Sequence, residues 1–456
     1  MEVKNKIYKS IIVLMILLSS CDNFVDIDPP TVEVVSETVF SSEASAEAAL
    51  IGIYSDLSTR NLSLAAGGAT LYLGLSADEF VDFSNNDRNL EFFENAIFPD
   101  NAAVLSDLWS NTYSLIYSAN SVLEGVENSS LEDEELKRLL TGEALFLRAF
   151  FHFYLVNLFG DVPYVTSTNF EINNASIRQS TDQVYESIIE DLVQARDALM
   201  DNDRLLDESG IRPNSYAVSS LLARVYLYTE DWTNAEVYAT EVIEESGLAI
   251  EENLEQVFLP TSNETIWQLQ TLNGFTYDAD NFITEEESTP TSVALSGSLI
   301  NSFESEDERF DFWIGSVTVD TETLFFPLKY RNNGSGLEEN YVMLRLSEQY
   351  LIRSESRVRM DDFQGALNDL NVIRGRAGLM NNSAVSQEAL LLAIEQERQN
   401  EFFAEFGHRW LDLKRTNRTD SLLGSIKADW QSTDALYPIP QLQLDRNPNF
   451  TQNPGY

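Results

Sequence analysis

Three glutamates, Glu397, Glu401 and Glu405, stand four residues apart and so share one face of a helix. Two carboxylates facing each other across a cleft are the acid and base of glycoside hydrolysis, and the chain, with 74 Asp and Glu, has many pairs to offer. Arg398, Arg409 and Arg415 lie close by in sequence. With those cations present, the spacing reads as a charge network that holds this helix to the following Trp410 segment. The histidines are two, His152 and His408, each among aromatics and without ligand spacing to the other. That argues against a transition-metal site or a Ser-His-Asp triad. The chain has no G-x-S-x-G, P-loop or dinucleotide fingerprint, and Gly67-Gly68 reads as a loop feature. The acidic run 304–311 offers oxygen ligands without EF-hand spacing. No cofactor is expected, and a structural calcium on such a run is the one alternative left open.

The single cysteine, Cys21, permits no intrachain disulfide, and its position carries the information. Lys4, Lys6 and Lys9 form a basic start, and Ile11 to Leu18 is an eight-residue apolar run, too short to span a bilayer and the length of a signal-peptide core. Leu18-Ser19-Ser20-Cys21 follows at once and resembles a bacterial lipobox. Acyl chains on Cys21 would anchor the protein stably, since several chains on one residue hold where one does not. Residues 1–20 are thus read as a lipoprotein signal peptide and 21–36 as a lipidated, acidic, Pro-containing tether.

The 456 residues are enough for a large core, and 43% hydrophobic with 23% charged residues is ordinary globular composition. The net charge of −45 repels polyanions, which makes nucleic acid a poor partner and disfavours anionic polysaccharide. No further hydrophobic stretch is expected to span a membrane.

The body reads as helices separated by irregular segments. Helical spacing of apolar residues recurs over 43–57, 106–126 and 181–199, and a longer run, 133–159, is apolar on more than one face and predicts a central buried helix stopped by Gly160-Asp161-Val162-Pro163. Residues 215–246 and 350–373 read as two helical hairpins, broken at Glu230-Asp231 and Asp361-Asp362. In each, a small residue precedes an alanine by twelve positions, Ala223 to Ala235 and Ser354 to Ala366, a spacing similar to that of tetratricopeptide (TPR) repeats. The two are far apart in sequence and form no tandem array. Between them, 247–340 changes character: Glu264 to Gln270 and Trp313 to Val319 alternate like strands among Gly- and Asn-rich loops. A long insertion of this kind is where a binding surface is expected. The tail from Tyr437 should be extended and docked.

Six separate stretches resemble the SusD/RagB family. They are Cys21 to Asp26 with Pro29; Ala48 to Leu57 (AALIGIYSDL); Glu143 to Thr166 (EALFLRAFFHFYLVNLFGDVPYVT); Leu344 to Glu355, which keeps Arg345, Glu348 and Glu355 but has Ser347 and Ser354 for the usual alanines; Ile394 to Arg415 (IEQERQNEFFAEFGHRWLDLKR), with Phe406 where Glu is common; and Tyr437-Pro438-Ile439-Pro440 with Asn447 to Tyr456. The resemblance implies a mainly α fold, a TPR-like helix-pair superhelix with a loop-rich, partly β insertion forming the ligand face, divided as 37–246 and 247–456 within one compact domain. It implies a non-enzymatic cell-surface lipoprotein, lipid-anchored in the outer membrane. Such a protein captures glycan and passes it to a SusC-like TonB-dependent transporter. The charge favours a neutral glycan. A peptide-binding RagB-type protein, a surface glycoside hydrolase and a transporter lid without affinity of its own are the rival readings.

A sugar's C–H face stacks on aromatic rings while planar polar side chains bind its hydroxyls. The resemblance places the site on the early loop, about 82–94, and on the insertion, about 272–283. The candidates there are Asn85, Asn86, Asp87, Arg88, Phe275, Tyr277, Asp280 and Phe282, joined by the less constrained Trp313 and Trp430.

Overall fold

The computed structural model describes residues 39–84, 86–200, 210–283, 293–332 and 336–456. Cys21, with its leader and tether, and Asn85 lie outside the described residues.

Helix α1 (Glu43–Thr59) begins at Ser42, whose hydroxyl accepts from the Ser45 amide, and buries Ala46, Leu50, Ile53 and Leu57 on one side. A π-helical stretch, Leu64–Leu73, follows with a kink at Ala66 and Gly67 and is buried throughout. Strand β1 (Phe80–Asp82) and helix α2 (Asp87–Glu94) come next, then α3 (Asn111–Glu127). Helix α4 (Glu134–Phe159) is capped by Asp133, which accepts from the Leu136 amide, and is terminated by Gly160 at φ +69°. One correction concerns membrane-spanning length: α4 is long and apolar enough to cross a bilayer, yet 94% of its most apolar window is buried inside the protein. A helix apolar on every side is a core helix when neighbours surround it. Its neighbours are α3 and α5 (Thr181–Leu199), the latter opened by a reciprocal Ser180–Gln183 capping box. Helices α6 (Ser215–Tyr228) and α7 (Trp232–Glu245) form the first hairpin, with Glu230 at positive φ in the turn and Asp231 capping α7.

The insertion supplies β2 (Thr265–Leu269), α8 (Tyr277–Phe282), β3 (Val293–Leu295), α9 (Glu308–Trp313), β4 (Ile314–Val319), β5 (Glu322–Pro327) and β6 (Tyr341–Arg345). They make three two-stranded antiparallel sheets among the described residues: β1 with β3, β2 with β6, and β4 with β5. The strand expected from Trp313 starts instead at Ile314, because Trp313 closes α9.

The second hairpin is α10 (Leu346–Arg359) and α11 (Phe363–Arg376), followed by α12 (Gln387–Phe402) and α13 (His408–Arg415). The spacing of small residues does what it predicted. Ala223 and Ala235 meet in one buried cluster, and Ser354 approaches so closely that its hydroxyl donates to the Ala366 carbonyl at 2.8 Å. The hairpins are separate in sequence but adjacent in space, since α7 packs on α10. Each helix from α3 through α7, and then α10 through α12, therefore packs on the next, and the insertion leaves this array and returns to it. The tail docks through the Tyr437 amide on the Leu158 carbonyl, 2.8 Å, but includes a short helix, Gln441–Arg446, where only extended chain was expected.

Candidate functional site

The ladder of β1 with β3 pairs Phe80 with Leu295 and Asp82 with Val293, and so brings the early loop beside the insertion. Helix α8 then lies over the turn that follows α1. The Tyr277 hydroxyl donates to the Thr59 carbonyl at 2.7 Å, the Tyr277 amide donates to the Tyr341 hydroxyl at 2.5 Å, and Asn281 donates to Asn61 at 3.2 Å. Gly67 makes this approach possible: at φ +92° it has no side chain where a Cβ would stand 3.1 Å from the Asn281 amide nitrogen. On the insertion side, Gly274 accepts from the Glu339 amide and from the Asn332 side chain, which ties the 272–275 loop to the 332–339 loop.

The predicted contacts divide on this frame. Phe275 and Tyr277 are half-buried with ring centroids 6.3 Å apart, edge to face, and Asp280 is exposed beside them. Asn86 and Asp87 are exposed at the start of α2, where the Asn86 side chain accepts from the Arg88 amide. Arg88 lies over the Tyr72 ring, 3.6 Å from Asp107, with its Nε unpartnered. Two expectations are corrected. Phe282 is 2% exposed and stacks on Phe80 at 5.3 Å. Trp313 is 1% exposed, its indole donates to the Leu254 carbonyl, and Lys329 covers its ring at 4.8 Å. Neither ring has a face free for a sugar. Trp430 is half-buried on the C-terminal segment, where it packs on Trp410 and donates to Asp420.

Asn61, Asn281 and Asp278, which the sequence did not single out, lie at or beneath this α8 face. A planar amide next to an aromatic, as in Asn281-Phe282, was the available signal for the second of these. Asp278 differs from its neighbour Asp280 only in facing inward. It is 5% exposed, its Oδ2 has no hydrogen-bond partner, and burial pushes its carboxyl up to about 7, with Glu339 and Glu405 adding to the rise against a hydrogen bond from Thr70.

The glutamate ladder is an ion-pair hub. Glu401 bonds Arg309 at 2.9 Å and also binds Arg345 and Arg376; Glu397 bonds Arg309 at 2.7 Å and Arg374 at 3.3 Å; Glu405 bonds Lys329 at 2.5 Å and Arg345 at 2.9 Å. All three carboxylates are buried and taken up by these ion pairs. The network is real, but its partners differ from those expected: Arg398 pairs with Asp412, Arg409 with Asp78, and Arg415 with Glu355 and Asp412. Burial lowers His152 to about 3, and the ring is held as a neutral base that accepts from the Val165 amide. Among the described residues, no group of three His, Cys, Asp or Glu could hold a metal ion. A separate cavity of about 320 Å³ lies between α10, α12 and α13, with Arg398 and Asp412 in its lining.

Residues 24–227 match the family described as "Starch-binding associating with outer membrane", and residues 314–456 match the SusD family. This chain belongs to the SusD/RagB family. Among SusD-like relatives, protein P2 of Formosa agariphila is 27% identical, with 99% of this chain and 100% of that one covered. A SusD-like protein of Bacteroides ovatus is 24% identical over 92% of this chain and 85% of its own. The fold matches a SusD superfamily structure from Bacteroides vulgatus with a TM-score of 0.79 at 19% identity, covering 92% of this chain and 100% of that one. A structure described as a laminarin-binding SusD-like protein matches with a TM-score of 0.76 at 24% identity, covering 91% and 100%.

Proposed function

We propose that this SusD/RagB protein is a non-catalytic cell-surface lipoprotein, anchored through Cys21, that binds oligo- or polysaccharide and hands it to a TonB-dependent outer-membrane transporter. The observation that carries the reading, in a chain of this family, is how the insertion meets the N-terminal part: the β1–β3 ladder joins it to the foot of the early loop, and α8 seats on the turn after α1 with an outer face beside Asn61. That face offers rings and planar polar groups, Phe275, Tyr277, Asn61, Asn281 and Asp280, suited to stacking and hydroxyl recognition. The glutamates that best resembled an acid–base pair are instead spent in ion pairs. A relative described as laminarin-binding supports a neutral glucan as first ligand, and the net charge of −45 points the same way.

The test is affinity gel electrophoresis of the chain starting after Cys21, with laminarin, other neutral glucans, mannan and alginate in the gel. Retardation by a neutral polysaccharide, without new reducing ends, is the expected result. Retardation by alginate alone in metal-free buffer overturns the neutral preference. Release of reducing ends overturns the non-catalytic reading, and no retardation by any glycan moves the cargo to peptide.

A further inference from the structure

Helix α8 carries the densest group of candidate contacts, and its underside is held by few interactions. Tyr277 and Asn281 fasten it to the turn after α1, and Phe282 packs beneath on Phe80. In the middle of this underside sits a carboxyl with no cation. Asp278 Oδ2 lies 3.6 Å from the place a Cβ would take on Gly67, buried, without a hydrogen-bond partner. The groups that face it are the Thr70 hydroxyl on the π-helical stretch, Tyr330 and Tyr341 on and before β6, Glu339 on the same connection, and Glu405 after α12. Not one is a base with a positive charge. The cations beyond them, Lys329 and Arg345, are bound to Glu405. A carboxylate ionised here would be desolvated and would feel the charges of Glu339 and Glu405, with hydrogen bonds from Thr70 and its own backbone amide, but no cation, to offset the cost.

We propose that Asp278 is a positioning residue of the ligand face: its neutral carboxyl lets α8 seat on the turn after α1, and its ionisation unseats the helix, so that capture weakens as the solution turns alkaline. The inference rests on the reading of this face as the ligand face. The direction follows from the carboxyl's being raised to about 7. Its contribution to stability is whole below the unfolded value of about 4 and is lost as pH rises through about 7. Ligand affinity scales with the fraction of molecules in the competent, neutral form.

The experiment compares wild type with Asp278→Asn, which keeps the shape and cannot ionise, in unfolding from about pH 4 to 8.5 and in binding at about pH 6 and about pH 8.5. Urea unfolding is measured first, and needs no ligand. Wild type should lose stability relative to Asp278→Asn as pH rises from about 4 to 7, with no further divergence above. Laminarin binding is measured second, with wild type about thirtyfold weaker at the higher pH, as the neutral fraction falls, and Asp278→Asn the same at both. Parallel unfolding profiles for the two proteins overturn the proposal. Divergent unfolding with pH-independent binding overturns the coupling to ligand. Divergent unfolding with no glycan bound at either pH overturns the ligand-face reading and leaves the titrating carboxyl standing. Should Asp278→Asn not fold, wild-type hydrogen exchange over 275–283, corrected for intrinsic rates, decides: no loss of protection between the two pH values overturns the proposal.

Discussion

Glu401 and Asp278 are both buried carboxyl groups, and the protein treats them in opposite ways. Burial pushes each up. At Glu401 three guanidinium groups, from Arg376, Arg345 and Arg309, overcome it and hold the carboxyl well below the usual carboxylate range. At Asp278 no cation answers, and the carboxyl rises to about 7. The hub lies where the insertion rejoins the helix array and bonds α9, β6, α11 and α12 together; Asp278 lies under a six-residue helix on the face proposed for ligand. Charge that is fully paired fixes a junction, and charge that is left single makes a surface responsive to its surroundings.

The comparison breaks first at the hub. Glu401→Ala leaves three buried arginines short of a partner and should cost about 3–5 kcal/mol, read as a large fall in the urea midpoint. A loss under about 1 kcal/mol would mean that the hub is solvated in solution. Next is the acid limb. Burial raises Glu348, but Arg224, assisted by His408 and Arg398, overcomes it and holds the carboxyl at about 2. Its stabilisation is present above the unfolded value of about 4.3 and lost as pH falls through about 2, which amounts to roughly 3 kcal/mol. Urea titrations between about pH 6 and 2.5 should show that decline, and Glu348→Gln should flatten it. The third prediction has the opposite sign: Asp278→Asn should stabilise at about pH 8 by roughly 1–3 kcal/mol, where Glu401→Gln destabilises. Smallest is Phe275→Ala, which should leave the urea midpoint nearly unchanged while weakening glycan retardation about three- to tenfold, the worth of one stacked ring.

Local pattern in the sequence was enough for the array. Ser42, Ser180, Asp231 and Asp362 cap the helices they precede, and the twelve-residue spacing of small residues marks both hairpins. These signals act within a turn or two of chain, so they can be read without the fold. The hub could be read only in kind. Glu401 finds its arginines 92, 56 and 25 residues away, and no local rule selects them over Arg398, three residues before. The proposed ligand face was expected on two loops, and its side chains were only partly foreseen. In a helix as short as α8 the periodicity cannot say which of Asp278 and Asp280 faces inward, and Trp313 alternated like a strand residue although it ends a helix.

Helix α4 has a consequence before the protein is folded. On the proposed export of this chain, a segment apolar enough to lodge in a bilayer must pass through the translocation channel without being retained there. Glu143 and Arg148 stand inside that segment, and a charged residue near the centre of a span costs about 3 kcal/mol on insertion. In the folded state the same two residues are neutralised, Glu143 by Arg212 and Arg148 by Asp191 at 2.7 Å. The residues that fasten the central helix to its neighbours would thus, in an exported chain, be the polar interruptions that let it go through the membrane rather than stop in it.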